Sequence, residues 1–214
     1  MANSGPNPII NKKILAVEGN DEKNFFDKLL KYLGISDFQI EDVGGKEKFP
    51  KRFPALLKTP GFFAPDKTPL VTHLAIVRDK DKDEALKSII NIVTDAGLTA
   101  PTKNAEFSDA VPKVGIFIMP GETVEGTMLE DLCLKTVENH PAMKCVDEFA
   151  SCVSALPASP KNISKAKVQV FKAQVFLAAQ PETVDSVGLG AQKNYWDFES
   201  PVLEELKQFL SHLK

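Results

Sequence analysis

The stretch ILAVEGNDEKNFF, residues 14–26, decides how the chain begins to fold. A short apolar run at residues 13–17 predicts a buried strand, and Glu18 and Gly19 follow it directly. Asn20 can then cap a helix whose first turn is acidic and whose apolar residues return at helical spacing. The sequence therefore predicts strand, turn and helix, with the Glu18 carboxylate at the carboxyl end of the strand.

A second stretch of the same kind covers residues 70–97. Residues 70–77 are the clearest buried strand, RDKDKD follows at residues 78–83, and a helical apolar face ends at Gly97. Because residues two apart in extended backbone point to the same side, Asp79 and Asp81 would present two carboxylates to one spot. The competing interpretation is a solvated turn in which Asp81 or Asp83 caps the following helix.

The order of predicted elements defines a fold class. Two more strands are expected at residues 38–43 and 114–119, and a short helix at 53–58, where Pro50 and Pro54 exclude a long one. Strands that alternate with helices predict an α/β fold with a mainly parallel four-stranded sheet flanked by helices. Later apolar patterns predict helices at residues 127–137, 142–154, 163–179 and 201–213, and loops at 100–113 and 181–200.

We divide the chain into three parts on this basis. Residues 1–12 form a flexible N-terminal tail, residues 13–137 form the α/β core, and residues 138–214 form a helical C-terminal extension packed on that core.

The amino-acid composition limits the classes of function that the chain can have. The 214 residues are 43% hydrophobic and 26% charged, as in ordinary globular proteins, and the net charge of −3 gives no general attraction to polyanions. No apolar run approaches about 18 residues, so no membrane contact is expected. Three cysteines without a Cys-x-x-Cys pair indicate buried thiols in a reducing cytoplasm, and three scattered histidines disfavour zinc.

The carboxylates at the predicted strand ends are the candidates for a metal-binding or catalytic role. Ligands of parallel α/β sheets bind beyond the carboxyl ends of the strands. If the strands that end at Glu18 and Asp79 are neighbours, Glu18, Asp79 and Asp81 come together there. Three clustered carboxylates repel one another unless a cation neutralises them or protons bind. Oxygen ligands suit Mg²⁺ or Mn²⁺, which activate water and stabilise phosphoryl charge.

A strand ending in Glu-Gly, followed by one ending in Asp-x-Asp, resembles the TOPRIM domain of topoisomerases, bacterial primases, small RNA maturases and OLD-type nucleases. The matching stretches are AVEGNDEKNFF (residues 16–26) and LAIVRDKDKD (residues 74–83). The chain is most similar to the TOPRIM-like bacterial DUF3226 family, through VGGKEKF (43–49), GTMLEDLCL (126–134) and GLGAQKNYWDFESPVLEELKQFL (188–210).

The resemblance implies a Mg²⁺- or Mn²⁺-dependent nuclease. Glu18 would be a metal ligand or general acid/base, and Asp79 and Asp81 would hold the metal. OLD-type enzymes also use a later acidic residue and a lysine. The candidates for the acid are Glu130, which we favour, and Glu122 and Glu125, and those for the lysine are Lys165, Lys167 and Lys172, of which we take Lys167.

Two features weaken this reading of the metal site. Lys82 and Asp83 stand where many such domains have a small residue after the second aspartate. The flanking Arg78, Lys80 and Lys82 could also screen the carboxylates. Glu130 and the lysines could equally lie on solvated helix faces.

A basic stretch supplies the predicted contact with nucleic acid. Gly44 and Gly45 would let backbone N–H groups approach a phosphate, and the nucleic-acid-binding residues would be Lys46, Lys48, Lys51 and Arg52. The interleaved Phe49, Phe53, Phe62 and Phe63 either stack on a base or pack this loop onto the domain.

Two alternatives to a nuclease remain. One is a non-hydrolytic module that binds nucleic acid or a partner, and the other is an enzyme that acts on small nucleotides. The sequence contains no P-loop, so an ATPase would be a separate partner.

Overall fold

A five-stranded sheet forms the centre of the computed structural model. The structure describes residues 8–80, 84–156 and 165–214, without the side chains of residues 165–167. The strands are β1 (Lys13–Val17), β2 (Phe38–Asp42), β3 (His73–Asp79), β4 (Glu106–Phe107) and β5 (Lys113–Met119). Their order is β2-β1-β3-β5-β4, and every pair is parallel except β4 with β5. The predicted mainly parallel α/β fold is confirmed, with four parallel strands and one short strand from a predicted loop.

Helices cover both faces of the sheet. They are α1 (Asn20–Tyr32), α2 (Phe49–Leu57), α3 (Ala85–Asp95), α4 (Leu129–Thr136), α5 (Ala142–Ser154), α6 (Lys165–Ala178), α7 (Val187–Gln192) and α8 (Glu204–Ser211), which follows a 3₁₀ turn at Pro201–Leu203. Strand residues alternate between two hydrophobic cores, with Ile14 and Ala16 on the side of α2 and α3, and Leu15 and Val17 on the side of the other helices.

Helix α2 is longer than predicted. It starts at Phe49, has Pro50 in its first turn and contains Pro54 in its interior, so the expectation of a short helix at residues 53–58 was wrong. One side of the helix buries Phe49, Phe53, Leu56 and Leu57 against the sheet. This apolar burial offsets the backbone hydrogen bond that Pro54 cannot donate.

Helix α7 lies within the predicted loop at residues 181–200 and packs on the first turns of α1. The N–H of Gly188 donates to Asp21 Oδ1 at 2.6 Å, and Gln192 Nε2 donates to Asn24 O at 2.7 Å. The indole N–H of Trp196 donates to Val187 O at 2.7 Å, which anchors the buried Trp196 in the core. These bonds attach the C-terminal half of the chain to the helix that follows Glu18.

Residues 8–12 run along the start of the sheet, where Ile9 is buried and its N–H donates to Pro60 O at 2.8 Å. The division into tail, core and C-terminal part stays a prediction. Across the ranges that the structure describes, helices are too short or too polar to cross a membrane.

We expect Gly188→Ala to lower the free energy of unfolding by about 1–3 kcal/mol, because close packing leaves no room for a methyl group. A Cβ atom at Gly188 would lie 2.2 Å from Asp21 O and 2.5 Å from Asp21 Oδ1. Urea denaturation followed by circular dichroism measures the change. Leu189→Ala, at a neighbouring exposed position of α7, is the control and should cost less than about 1 kcal/mol. Equal stability of Gly188→Ala and the unmodified chain would show that α7 does not pack this closely.

Candidate metal and nucleic-acid site

Glu18 and Asp79 lie together at the carboxyl edge of the sheet. Strands β1 and β3 are hydrogen-bonded neighbours, with Ala16 paired to Ile76, so their carboxyl ends are level. Oε1 of Glu18 accepts the backbone N–H of Asp79 at 3.1 Å. The two residues are therefore neighbours through the Asp79 backbone. The predicted grouping of their carboxylates stays a prediction, and Asp81 lies outside the described residues.

Arg78 is the residue that holds Glu18 in place. Its Nε donates to Glu18 Oε1 at 2.5 Å, and both side chains are largely buried. The Arg78 guanidinium carbon also lies 4.9 Å from the centroid of the Phe49 ring, a distance typical of cation–π contact. Glu18 is thus already neutralised by an arginine that sequence reasoning considered only as a screening charge.

The fit of these residues to a divalent cation is partial. Within the described part of the chain, no three Asp, Glu, His or Cys side chains are close enough to hold a metal ion. Glu18 and Asp79 supply oxygen ligands of the kind that Mg²⁺ and Mn²⁺ prefer, and the third expected ligand is Asp81. The metal site therefore stays a prediction, and its donor chemistry is suitable.

A second group of carboxylates borders Glu18 on the side of α1 and α4. Burial raises the pKa of Glu22 from 4.5 to about 7, and the nearby charges of Glu18, Asp21 and Glu130 add to the rise. Burial likewise raises the pKa of Glu130, with contributions from Asp21 and Asp131. Glu130 thus faces this acidic group and is not an exposed helix residue.

Sequence reasoning missed Glu22, which it treated as an ordinary charge of the first helical turn. The available signal was spacing, because Glu22 precedes the core residues Phe25 and Phe26 by three and four positions. Such residues share one face of a helix, so Glu22 had to lie near the buried side.

The two aspartates beside these glutamates have structural roles. Asp21 accepts the N–H of Gly188, as described above. Asp131 accepts the backbone N–H groups of Thr127 and Met128 at 2.8 and 3.2 Å and the amide of Gln169 at 2.9 Å. Asp131 therefore caps α4 and joins it to α6.

The other candidates for the acid and the lysine lie elsewhere or outside the description. Glu122 and Glu125 are exposed and line a cavity of about 600 Å³ that also includes Lys80. Lys172 pairs with Asp147 at 2.7 Å. The side chains of Lys165 and Lys167 lie outside the described residues, although Gln169 places the start of their helix beside α4.

A cleft of about 1020 Å³ opens next to Glu18, and Asp42 and Glu47 line it as well. We name it the basic cleft for its two lysines and its arginine. Its lining includes Gly44 and Gly45 together with the exposed Lys46, Lys48 and Arg52, whereas Lys51 lies on α2 outside it. Arg52 also pairs with Asp42 of the same cleft at 3.1 Å.

The aromatic residues of this region do not face the cleft. Phe49, Phe53 and Phe62 are fully buried, so they pack the loop onto the sheet and do not stack on bases.

The chain belongs to the family described as "Protein of unknown function (DUF3226)", whose profile matches residues 12–214. The family membership predicted from the sequence is thereby confirmed. Among solved structures, the chain is similar to the C-terminal region of the OLD protein of Xanthomonas campestris pv. campestris, with 16% sequence identity and a TM-score of 0.46 over 95% of this chain and 94% of that chain. This level of similarity carries no conclusion about function. The comparison with curated proteins found no match.

We expect Glu22→Gln to stabilise the protein at about pH 8 by up to roughly 3 kcal/mol, with little effect near pH 4.5. Between pH 4.5 and about 7 the folded protein keeps the Glu22 proton that the unfolded chain releases. Stability therefore falls as pH rises through this window, and glutamine removes that fall. Urea denaturation in metal-free buffer, at about pH 4.5 and about pH 8, measures the free energy of unfolding of the variant and of the unmodified chain.

Glu125→Gln, which removes an exposed carboxylate, is the control and should leave the pH dependence unchanged. Parallel pH profiles for Glu22→Gln and the unmodified chain would show that Glu22 titrates as an ordinary surface glutamate.

Proposed function

We propose that this protein is a metal-dependent phosphoryl-transfer enzyme, a nuclease that hydrolyses phosphodiester bonds of DNA or RNA. The observation that carries the proposal is the hydrogen bond from the backbone N–H of Asp79 to the Glu18 carboxylate, which places both residues at the ends of adjacent strands beside the basic cleft. Negative ligands for a cation and positive contacts for a phosphate backbone thus share one edge of the sheet, as metal-assisted phosphoryl transfer requires.

The proposed ligands of the metal are Glu18, Asp79 and Asp81. When bound, Mg²⁺ or Mn²⁺ would supply stabilisation of phosphoryl charge and an activated water.

The remaining roles belong to the side chains around this edge. Lys46, Lys48 and Arg52 would contact the phosphate backbone. Glu22, with a pKa of about 7, can hold or release a proton near neutral pH, which suits a general acid or base. We also assign Glu130 to the acidic group, and Lys167 to the neutralisation of charge on a phosphate oxygen.

A second candidate is a binding module that uses the same cleft without hydrolysis, alone or with a separate ATPase. The buried Arg78 favours it, because Arg78 already satisfies Oε1 of Glu18 and supplies positive charge where a metal would compete. The two candidates differ in what the carboxylates do, and the next two experiments separate them.

We expect Asp79→Asn to reduce metal-dependent cutting by roughly 10²-fold or more, since it removes a proposed metal ligand and leaves the size of the side chain unchanged. The assay incubates end-labelled single- and double-stranded DNA and RNA with Mg²⁺, Mn²⁺ or EDTA and separates the products on denaturing gels. Glu125→Gln is the matched control and should cut normally, with circular dichroism confirming the fold of both variants. Cutting that survives in Asp79→Asn, or no cutting of any substrate, would count against the nuclease.

We expect the double variant Lys46→Glu/Lys48→Glu to weaken nucleic-acid binding and to lower the slope of log affinity against log salt by about 2, since two phosphate contacts are lost. Fluorescence anisotropy in EDTA over a range of salt concentrations measures both quantities. Lys58→Glu/Lys67→Glu carries the same change of charge outside the cleft and should keep the slope. An unchanged slope in the first variant would place the binding surface elsewhere.

A further inference from the structure

A second, smaller cavity of about 200 Å³ lies at the same edge of the sheet, on the side of α3. Three cationic side chains and one hydroxyl line it, Lys46, Arg78, Lys80 and Ser88, together with the acidic residues Asp79 and Glu84. Lys46 also lines the larger basic cleft, so the two spaces adjoin. Among the described residues that line the cavity, three side chains are cationic and two are acidic, and one of the cationic ones, Arg78, is paired with Glu18.

Arg78 brings hydrogen-bond donors to this cavity, and the described residues supply an acceptor for one of them. The residue is 5% exposed, and within the described ranges its Nε is the only guanidinium nitrogen with an acceptor, Oε1 of Glu18. Buried donors in folded proteins almost always have an acceptor, from the protein, water or a ligand. The terminal Nη groups of Arg78 are thus available to an acceptor that enters the cavity, either water or a ligand.

The Arg78 side chain is also held rigidly. Glu18 fixes it at one edge and the Phe49 ring lies 4.9 Å from its guanidinium carbon. Phe49 in turn stacks on Phe53, with 5.1 Å between ring centroids. A guanidinium fixed in this way presents a planar pair of donors whose spacing matches two oxygens of a phosphate.

The size of the cavity selects the kind of phosphate. Pockets for small molecules usually start at about 300 Å³, so a space of about 200 Å³ holds a phosphate group, and the rest of the ligand must lie in the adjoining cleft. An internal phosphodiester would need room for a nucleoside on each side. A terminal phosphate needs room on one side only and offers three free oxygens to Arg78, Lys46 and Lys80.

We propose that this cavity binds the terminal phosphate of a nucleic-acid strand that lies in the basic cleft. Lys46 joins the two spaces and contacts the last backbone phosphates of the strand. Binding of a phosphate group rests on the geometry of the cavity, and only its attachment to a nucleic acid rests on the proposed function.

The test compares a short single-stranded DNA with a 5′-phosphate, a 3′-phosphate or hydroxyls at both ends, by fluorescence anisotropy in EDTA at constant ionic strength. We expect one phosphorylated form to bind about tenfold tighter than the hydroxyl form, the effect of one charged hydrogen-bonded contact. Titration calorimetry with inorganic phosphate alone tests the cavity without a nucleic acid.

Lys80→Met and Arg78→Lys should abolish the preference for the phosphorylated end. Lys80 is exposed, and its backbone N–H keeps its bonds to Met119 O and Thr127 O, so this variant should fold even if Arg78→Lys does not. Lys51→Met removes a charge from α2 outside the cavity and should weaken binding of all forms equally.

Each other outcome overturns a defined part of the proposal. Equal binding of all three DNA forms excludes recognition of the strand end. If inorganic phosphate then still binds in a manner sensitive to Lys80→Met, the ligand is free phosphate, and if it does not bind, the cavity is not a phosphate site. Because the binding assay contains EDTA, its result does not depend on metal-dependent cutting. A nuclease that does not prefer phosphorylated ends can therefore be distinguished from a protein that binds such ends without cutting.

Discussion

The buried ion pair between Glu18 and Arg78 is the interaction on which the site depends. It joins the ends of β1 and β3, and the Asp79 N–H shares the same carboxylate oxygen. Removing a buried charge from water is costly, so such a pair is stable only while both partners and their hydrogen bonds remain in place. Loss of one partner leaves the other charge uncompensated, which typically costs about 3–5 kcal/mol. The pair thereby fixes the Glu18 carboxylate, the Arg78 guanidinium and the Asp79 backbone relative to one another.

The acidic and the cationic side chains of the site lie on different sides of this ion pair. Acidic side chains gather toward α1 and α4, where burial raises the pKa values of Glu22 and Glu130. Cationic side chains gather toward α2 and α3, around the cleft and the smaller cavity. Glu18 is linked to both groups, since it accepts a hydrogen bond from Arg78 and its charge raises the pKa of Glu22. A change of charge on either side would therefore affect the same carboxylate.

Much of this architecture was predictable, because local pattern and a general rule of parallel sheets agree. Buried strands at residues 13–17 and 70–77 were visible as apolar runs, and the carboxyl ends of neighbouring parallel strands necessarily meet, which brought Glu18 to Asp79. The features that were not predicted depend on contacts between residues that are far apart in the sequence. Helix α2 tolerates Pro54 because its apolar side is buried, and α7 forms where glycines allow it to approach α1. The role of Arg78 required knowing that β1 lies beside β3, since nothing in RDKDKD distinguishes it from a solvated turn.

The bond from Gly188 to Asp21 spans 167 positions of the chain. Contacts of such sequence separation form late, because the intervening chain must first be ordered. During synthesis the first strand and helix emerge long before the segment that closes over them, and the acidic group beside Glu18 stays open to water until then. The polypeptide can thus acquire its sheet before the segment that carries Gly188 packs against the first helix.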